Sequence, residues 1–362
     1  MADFPTLEPI ILEARRRLPQ GAWDYLVGGT ESETTLRQNR GAWDRLAFKP
    51  RVLVDVSSID PSTTLLGQRL RIPVVPAPVG GLTGFTPQGA LATVAASAEY
   101  GTLPVISSVA GHELEDVAAA APDHARAYQL YIRGDVDWER EMIARIKAAG
   151  YRALTITVDT AVPSRRERPM MSIGAATPMA AARGGAPAPG WPSHVTWDSI
   201  ERYKEFSGLP IALKGIQTAE DAALAVEHGV DVVWVSNHGG RQLDHARASA
   251  DALPEIVAAV AGRAQIVVDG GIHRGTDVLK AIALGANAVA IGRLQGYGLA
   301  AAGQAGLVRV FEILEAEIRS AMGLLGVTCI EDLGPQHVTP TIPVTLPHEM
   351  SAWPNIPGGR IQ

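Results

Sequence analysis

The segment Ser236–Asp244, with the sequence SNHGGRQLD, brings together residue types suited to proton transfer and anion binding. His238 has the one side chain whose ordinary pKa lies close to neutrality, and Arg241 has a planar fork that holds a carboxylate through two hydrogen bonds. The two glycines between them allow a tight turn. The segment follows the apolar run Val232–Val235, so it ends a buried strand, where unpartnered polar groups are costly. We therefore predict that His238 and Arg241 face one ligand.

Polar or glycine residues, in the first case within the segment APVGG, also end the seven other short apolar runs of the chain. They are Pro78, Val79 and Gly80; Ser107; Gln129 and Tyr131; Thr157 and Asp159; Lys214; Asp269, Gly270 and Gly271; and Gly292 and Arg293. Each has an ordinary explanation, since serine and threonine bond to local backbone, a lysine extends to solvent, and a lone strand-end histidine is more often structural. A purely structural protein has no reason to place such groups at every strand end, so together they predict the lining of one site.

The eight apolar runs alternate with segments of helical period. The predicted strands are residues 73–78, 103–107, 127–131, 153–159, 210–215, 232–237, 265–270 and 288–292. Eight strand–helix units are typical of an α/β fold of the (β/α)8, or TIM, barrel type, in which catalytic groups lie at the C-terminal ends of the strands. A doubly wound sheet is the alternative, but it usually has fewer strands.

We predict a single domain over residues 1–362. An N-terminal extension (1–70), with two short helices and a hairpin, closes the bottom or side of the barrel (71–326), and a tail follows (327–362). The connection 166–197 breaks the alternation of strands and helices. Its middle, Met170–Pro192, is rich in Ala, Gly, Pro and Met and shows neither helical nor strand periodicity. We interpret it as a lid over the site, with a surface insertion of no function as the alternative.

Composition argues against several classes of function. A net charge of −6 and a pI near 5.9 give no sign of nucleic-acid binding. No stretch approaches 18 uncharged apolar residues and the N-terminus lacks the regions of a signal peptide, so we expect neither a membrane span nor export. The single cysteine, Cys329, excludes an intrachain disulfide and fits a reducing compartment. The expected location is the cytoplasm.

The last two strand ends predict a phosphate site. Loops after strands seven and eight of such barrels commonly bind phosphate through backbone N–H groups and a helix N-terminus. Here DGGIHRGTD and IGR supply bare glycine backbone and the cations His273, Arg274 and Arg293. The chain lacks a GxGxxG motif after an early strand, which argues against a Rossmann-type dinucleotide site. A phosphorylated cofactor or substrate is therefore expected.

The remaining polar groups suit a flavin and a carboxylate substrate. A lysine near the electron-poor ring, here Lys214, stabilises negative charge on a reduced flavin. His238 and Asp159 are candidates for a base with an orienting acid, because a carboxylate raises imidazole basicity and sets its tautomer. Arg166 and Arg241 are candidates for a clamp on a substrate carboxylate.

Taken together, these residues resemble one family, the FMN-dependent α-hydroxy acid dehydrogenases and oxidases, which include glycolate oxidases, lactate oxidases and mandelate dehydrogenases. SNHGGRQLD matches the family's active-site signature and is highly specific. The segments DYLVGGTES, DTAVPSRRER and GRLQGYGLAAAGQAG are most similar to the mandelate dehydrogenase branch. The resemblance extends from Tyr25 to beyond residue 300.

The resemblance implies that His238 is the catalytic base and that Asp159 supports it. The residues implied to bind the substrate are Tyr25, Tyr131, Arg166 and Arg241. FMN is the implied cofactor, with no metal in the site. The residues implied to bind FMN are Pro78, Val79, Gly80, Ser107, Gln129, Thr157, Lys214, Ser236, Asp269, Gly270, Gly271, His273, Gly292 and Arg293.

The chain departs from the family's pattern at several positions. His273 stands where the family usually has Arg, which puts the strength of phosphate binding there in doubt. Val109 replaces a frequent Trp and is expected to enlarge the substrate pocket. Gly80, expected beside flavin N5, occurs in dehydrogenase and monooxygenase branches and argues weakly against a simple oxidase. The lid lacks the apolar membrane-binding segment of membrane-associated mandelate dehydrogenases, so no membrane partner is expected.

The expected reaction is oxidation of an (S)-2-hydroxy acid with an aromatic or medium-sized apolar side chain to the 2-oxo acid. His238 takes the hydroxyl proton while hydride passes from C2 to flavin N5, and a carbanion route with the same base stays open. Oxygen, a quinone or another acceptor then reoxidises the flavin, and a homotetramer is expected from the family. The alternatives are an L-lactate/glycolate-type oxidase or a monooxygenase that uses oxygen, another FMN barrel enzyme, such as an isomerase or dehydrogenase acting on a phosphorylated metabolite, and a flavin-binding protein without catalysis.

Overall fold

The eight predicted strands form one parallel sheet in the computed structural model, which describes residues 4–171, 194–343 and 352–353. The strands are β4 (Val74–Pro76), β5 (Val105–Ser107), β6 (Ala127–Leu130), β7 (Ala153–Thr157), β8 (Ile211–Ile216), β9 (Val232–Val235), β10 (Gln265–Val268) and β11 (Ala288–Ile291). Their order in the sheet is β4-β11-β10-β9-β8-β7-β6-β5, so each strand from β5 to β10 neighbours the next in sequence and β11 returns to β4. Where the two end strands meet, the Thr102 hydroxyl donates to the Val74 carbonyl (2.5 Å). The sheet is thus a nearly closed (β/α)8 barrel, as predicted.

Twelve helices surround the barrel and its extensions in the described part of the chain. They are α1 (Leu7–Arg17), α2 (Gln20–Val27), α3 (Thr34–Asp44), α4 (Gly89–Tyr100), α5 (Leu114–Ala119), α6 (Val136–Ala148), α7 (Glu167–Met171), α8 (Trp197–Ser207), α9 (Ala219–Glu227), α10 (Ser249–Val260), α11 (Gly275–Ala283) and α12 (Arg293–Leu325). Local signals set several of their ends: the Thr218 hydroxyl accepts the Asp221 N–H at the start of α9 (3.2 Å). α12 is broken at Ala302 and Gly303, whose backbone angles are not helical.

The barrel strands are apolar on both faces because one face packs on helices and the other fills the lumen. The lumen holds a separate cluster of mostly small residues, among them Val75, Ala127, Ala153, Ala212 and Ala288, all at most 3 % exposed. Small side chains are needed there because eight strands converge on a narrow interior.

The N-terminal extension contributes to both ends of the barrel. Strand β1 is Leu46–Phe48, and β2 (Thr63–Leu65) pairs with β3 (Gln68–Leu70) as a hairpin. The hairpin closes the bottom, because Leu65 and Leu70 belong to the lumen cluster and the Leu66 N–H donates to Gln265 at the start of β10 (2.7 Å). The hairpin therefore lies at the bottom of the barrel, whereas α2 and α3 reach the opposite, C-terminal end.

The predicted lid and tail are described only in part. The predicted lid (166–197) begins one residue before α7 and ends at the first residue of α8, Trp197, while its residues 172–193 lie outside the described residues. In the tail, β12 (Val338–Pro340) pairs antiparallel with β1. None of the helices in the described ranges is both long and apolar enough to cross a bilayer.

A close approach between α3 and the turn after β10 leads to a prediction about stability. Gly271 has φ +76°, and a Cβ there would lie 2.4 Å from the Asn39 carbonyl oxygen, whereas Gly262 has φ +74° with nothing within 4 Å. We expect Gly262→Ala to cost about 1–2 kcal/mol from the left-handed backbone alone, and Gly271→Ala to cost about 2–5 kcal/mol because a clash is added. Urea unfolding of both FMN-free variants, followed by tryptophan fluorescence, checks this; equal midpoints would contradict it.

Candidate active site

One cavity of about 1430 Å³, including its open mouth, lies at the C-terminal ends of the barrel strands. The predicted site residues in its wall are Tyr25, Pro78, Val79, Gly80, Tyr131, Arg166, Lys214, His238, Arg241, Asp269, Gly270, Gly271, His273, Gly292 and Arg293. The predicted residues that do not line it are Ser107, Gln129, Thr157, Asp159 and Ser236. The structure therefore brings together groups from the N-terminal extension and from seven strand ends.

The period of two along each strand explains why these side chains meet. Ala127, Ala153, Ala212, Trp234 and Val267 point into the lumen as its apolar floor. Side chains two or four residues further along a strand point the same way. The inward positions above the floor are Gln129, Thr157, Lys214, Ser236 and Asp269. The barrel thus carries apolar lumen residues below and a polar layer at its C-terminal end.

His238 and Asp159 form a buried pair at the cavity wall. His238 Nδ1 lies 2.9 Å from Asp159 Oδ1, with 17 % of the histidine side chain and 4 % of the aspartate side chain exposed. Because Nδ1 faces the carboxylate, the remaining ring nitrogen, Nε2, is the one available to a ligand. A carboxylate that orients an imidazole in this way is the arrangement of a general base.

Two unusual backbone features bring this pair together. His238 has φ +59°, a left-handed conformation that few non-glycine residues adopt, and its N–H donates to the Ser236 hydroxyl (3.0 Å). The register of β8 shifts after Lys214, at Gly215, which has φ +122°. A Cβ on Gly215 would lie 2.7 Å from that of Asp159. The bulge therefore makes the space that Asp159 occupies beside His238.

Charges around the pair set its protonation. Burial lowers the pKa of His238; Asp159 opposes that effect, while Lys214 and Arg166 add to it, so the pKa stays below its ordinary value. Burial would raise the pKa of Asp159, but His238 and Lys214 outweigh it and hold the pKa below its usual value. At neutral pH the site therefore holds a neutral imidazole beside a carboxylate, which is the state of a base ready to accept a proton.

Lys214 belongs to a buried network under the cavity. Its ammonium donates to the Ser236 hydroxyl (2.9 Å) and lies 3.4 Å from Asp269 Oδ2. Asp269 also accepts from the Ser236 hydroxyl (2.8 Å) and from the Trp234 indole (3.0 Å). The network holds the ammonium in the cavity wall with only 3 % of the residue exposed. It places a fixed positive charge where a ligand's negative charge would be stabilised.

Arg166 and Arg241 place two guanidinium groups in the cavity wall without a carboxylate partner among the described residues. Arg241 donates to the carbonyls of Tyr25 (2.6 Å) and Gly28 (3.0 Å). Arg166 donates to the Arg241 carbonyl (3.3 Å) and to Gln242 (3.1 Å). Burial and the neighbouring Arg166 lower the pKa of Arg241 to about 9, so it stays charged at neutral pH. One buried and one partly buried cation, each paired only with neutral groups of the described residues, indicate a site for an anion.

Two tyrosines complete this side of the cavity. The Tyr25 hydroxyl donates to the Gly80 carbonyl (3.1 Å), and the Arg241 guanidinium lies over its ring at 4.7 Å. Burial, together with Asp159, raises the pKa of Tyr131, which keeps its hydroxyl protonated and able to donate. The Tyr131 phenol therefore offers a hydrogen bond beside the two guanidinium groups, and the Tyr25 phenol can offer one by turning its proton away from the Gly80 carbonyl.

The predicted phosphate end of the cavity has fewer cations than expected. Gly270 and Gly271 have φ of +96° and +76°, which turns bare backbone toward the cavity. His273 is 7 % exposed, and burial with the nearby Arg40 lowers its pKa well below the ordinary value, so it is neutral rather than the predicted cation. Arg274 pairs with Glu317 (3.3 Å) and is not among the residues that line the cavity.

Arg293 lines the cavity as predicted, but its guanidinium already has partners. It donates to the carbonyls of Val27 (3.3 Å), Gly28 (3.0 Å) and Gly239 (3.1 Å). Its charge faces the cavity while its N–H groups join α2 to the turn after β9. It also begins α12, so the helix N-terminus lies at this end of the cavity.

The donor set fits the FMN that the resemblance implies. Gln129 is fully buried and accepts from the Ser107 hydroxyl (2.7 Å), yet its amide nitrogen has no partner among the described residues. A buried amide of this kind needs an acceptor, and a flavin ring edge supplies one. The fixed Lys214 cation suits the ring of a reduced flavin, and the glycine turn suits a phosphate.

Two positioning features were missed by the sequence reasoning. Gln242 accepts from Arg166 and donates to the Asp159 carbonyl (2.9 Å), which ties the guanidinium to the loop of the acid. Its place next to Arg241 in the signature was a usable signal. Asn39 on α3 exchanges two amide hydrogen bonds with Asn237 (2.9 and 2.8 Å), and no local pattern points to that pair.

Comparison with known proteins places this chain among flavin enzymes. A family model described as FMN-dependent dehydrogenase matches residues 14–340. An L-lactate oxidase of Nostoc sp. is 42 % identical over 346 residues, which cover 88 % of this chain and 94 % of the relative. A peroxisomal (S)-2-hydroxy-acid oxidase of Oryza sativa subsp. japonica is 43 % identical over 347 residues, covering 90 % and 93 %.

Solved structures of similar proteins agree with this. The crystal structure of a mandelate oxidase is 36 % identical with a TM-score of 0.85, covering 94 % of this chain and 100 % of that one. A variant of mandelate oxidase with a C4a-OH-FMN adduct is 37 % identical with a TM-score of 0.84, covering 92 % and 99 %. The resemblance noted from the signature is confirmed at the level of the family.

Proposed function

The chain belongs to the FMN-dependent dehydrogenase family, and on that basis we propose that it oxidises an (S)-2-hydroxy acid to the 2-oxo acid. One observation carries the proposal: a neutral His238 held by Asp159 shares a cavity with two guanidinium groups that lack carboxylate partners among the described residues. Oxidising an alcohol carbon next to a carboxylate needs a base for the hydroxyl proton and cations for the carboxylate. The base, His238, and the cations, Arg166 and Arg241, line the same cavity.

The residues of this chain then act in a definite order. Arg166 and Arg241 bind the substrate carboxylate, and the Tyr25 and Tyr131 hydroxyls bond to the oxygens on that side. His238 takes the hydroxyl proton on Nε2, the ring nitrogen that does not face Asp159. The Asp159 carboxylate stabilises the imidazolium that results.

FMN, when bound, supplies the two-electron acceptor for the hydrogen that leaves the substrate's C2. Lys214 would hold the ring edge that gains negative charge, with Ser236 and Asp269 keeping the ammonium in place. The further residues proposed to hold FMN are Pro78, Val79, Gly80, Ser107, Gln129, Thr157, Gly270, Gly271, His273, Gly292 and Arg293. Gln129 would donate its otherwise unpartnered amide to the ring.

An aromatic or medium-sized apolar side chain suits the rest of the wall. Leu26, Phe85 and Val109 line the cavity together with Tyr131. Val109 is small, which leaves room that a larger residue would take. A mandelate-like 2-hydroxy acid is therefore the proposed substrate class.

We propose oxygen as the electron acceptor. The relatives described above carry the name oxidase, which outweighs the weak argument from Gly80 for a dehydrogenase. A quinone is the alternative acceptor, and the experiment below distinguishes the two.

Anaerobic mixing of the FMN-loaded protein with a panel of 2-hydroxy acids tests the proposal. We expect the flavin absorbance to bleach with (S)-mandelate and medium apolar acids, and more slowly with small or (R) acids. Admission of air should then restore the colour and produce hydrogen peroxide. A protein that bleaches with no 2-hydroxy acid would refute the proposed reaction, and reoxidation by a quinone but not by air would refute the proposed acceptor.

The pH dependence of kcat/KM follows from the pKa of His238. The base must be neutral to act, and burial keeps its pKa below the ordinary 6.5. Activity should therefore be constant near neutrality and fall on acidification, with a midpoint below that of free imidazole. Asp159→Asn removes the group that raises this pKa, so the midpoint should move to still lower pH and the plateau should drop. Steady-state rates over about pH 5 to 8 check both; a midpoint above 6.5 would contradict the assignment.

A further inference from the structure

The C-terminal tail places a tryptophan against the phosphate end of the cavity. Trp353 is 1 % exposed, although it lies beyond β12 in the tail. Its ring stacks on the His273 ring, with centroids 4.2 Å apart and planes at 23°, and it meets the edge of Tyr297 at 6.3 Å. The tail therefore contributes a buried aromatic residue to the neighbourhood of the cofactor site.

His273 links this contact to the glycine turn. It lines the cavity next to Gly271, and its backbone N–H donates to Asp277 (3.0 Å). Asp277 pairs with Arg40, which in turn donates to the Gly271 carbonyl (2.7 Å). The backbone on both sides of the turn is thus fixed by hydrogen bonds.

The His273 side chain lacks a comparable anchor. Its Nδ1 is buried and has no hydrogen-bond partner among the described residues, and the same holds for the Trp353 indole nitrogen. The ring is therefore oriented mainly by its stacking, and a buried tryptophan supplies a large contact area for that purpose. A neutral imidazole cannot attract a phosphate by charge, so its contribution depends on where the ring points.

We infer that Trp353 is a positioning residue for His273 and, through it, a determinant of FMN retention at the phosphate end of the cavity. The inference rests on FMN lying in this cavity with its phosphate at the glycine turn. It does not depend on which substrate is oxidised. In this chain, stacking on Trp353 would orient the His273 ring for FMN binding. A strongly basic side chain at position 273 would instead hold the phosphate by its charge.

The test measures the dissociation constant of FMN from the full-length protein by flavin fluorescence on dilution. We expect Trp353→Ala to weaken FMN binding about tenfold or more, and Trp353→Phe to restore most of the affinity because a phenyl ring still stacks. Trp197→Ala is the matched control. It removes a tryptophan stacked on another histidine, His228 (5.4 Å, 12°), outside the cavity, and should leave the constant unchanged.

A double-variant comparison separates positioning from general loss of structure. In a His273→Ala background, Trp353→Ala should cause little further loss of FMN affinity, because the residue that it positions is already gone. Equal losses in both backgrounds, or a Trp353→Ala protein within twofold of the parent, would overturn the inference. If no 2-hydroxy acid bleaches the flavin, the proposed reaction fails while the FMN constants still decide this question.

Discussion

Replacing His238 by alanine is expected to lower the rate constant of anaerobic flavin reduction by (S)-2-hydroxy acids about 10²- to 10⁴-fold, the usual contribution of a general base. The imidazole is the proposed acceptor of the hydroxyl proton, and Asp159 holds its other nitrogen at 2.9 Å. Alanine leaves that proton without an acceptor at the right place. Stopped-flow absorbance at the flavin band measures the rate constant directly, independent of reoxidation.

A second histidine–carboxylate pair provides the control for this prediction. His228 Nδ1 lies 3.0 Å from Glu201 and is not part of the cavity wall. His228→Ala should reduce its flavin at the parent rate. The role of His238 would be refuted by a His238→Ala protein that binds FMN and substrate normally and is reduced as fast as the parent.

The second large effect concerns the clamp on the carboxylate. Arg166→Leu is expected to lower kcat/KM for a 2-hydroxy acid by about 10²- to 10³-fold, since loss of one partner from a buried charge pair costs about 2–5 kcal/mol. Arg166 is the better target of the two because the hydrogen bonds of Arg241 to the carbonyls of Tyr25 and Gly28 also join the turn after β9 to the N-terminal extension, and its loss would disturb that contact. The loss should appear mainly in the affinity for substrate and for the 2-oxo acid product.

A neutral analogue distinguishes loss of a charge contact from loss of structure. The parent should strongly prefer a 2-hydroxy acid over the corresponding 2-hydroxy amide, and this preference should shrink in Arg166→Leu while the rate with the amide changes little. Arg247→Leu removes an exposed arginine paired with Glu255 and should affect neither substrate. An Arg166→Leu protein that keeps its full preference for the acid would contradict the assignment.

The fold was predictable because each buried strand is visible in the sequence as a short run of apolar residues. Each barrel strand is a short apolar run, and the structure has all eight where the pattern predicts them, with ends differing by a few residues. The alternation of these runs with helical segments was enough to predict the barrel. The hairpin at its bottom was predicted as an element, but its place was left open between bottom and side.

Much of the candidate site was predictable for the same reason. Side chains two apart on a strand face the same way. The residue two positions after the last apolar lumen residue of a strand therefore lies at the rim. Lys214, Ser236 and Asp269 follow this rule, and the structure joins them in one network. The pattern could not show which of them bond to each other.

The structure departs from the expectation where protonation and partners depend on the surroundings. His273 and Arg274 follow the same glycine turn and were both predicted as cations for a phosphate. The structure buries His273 under Trp353, which lies 80 positions along the chain, and turns Arg274 to Glu317. Neither outcome has a local sequence signal, because both are set by α12 and the tail.

The barrel, the polar rim and the signature around His238 can be inferred from short segments, since they depend on periodicity and residue type. Three features emerge only on folding: Asp159 fits beside His238 through the bulge at Gly215, α2 and α3 reach the rim, and Trp353 covers His273. These contacts join residues tens to hundreds of positions apart. Their energies depend on distance and burial in the folded chain, which no single segment encodes.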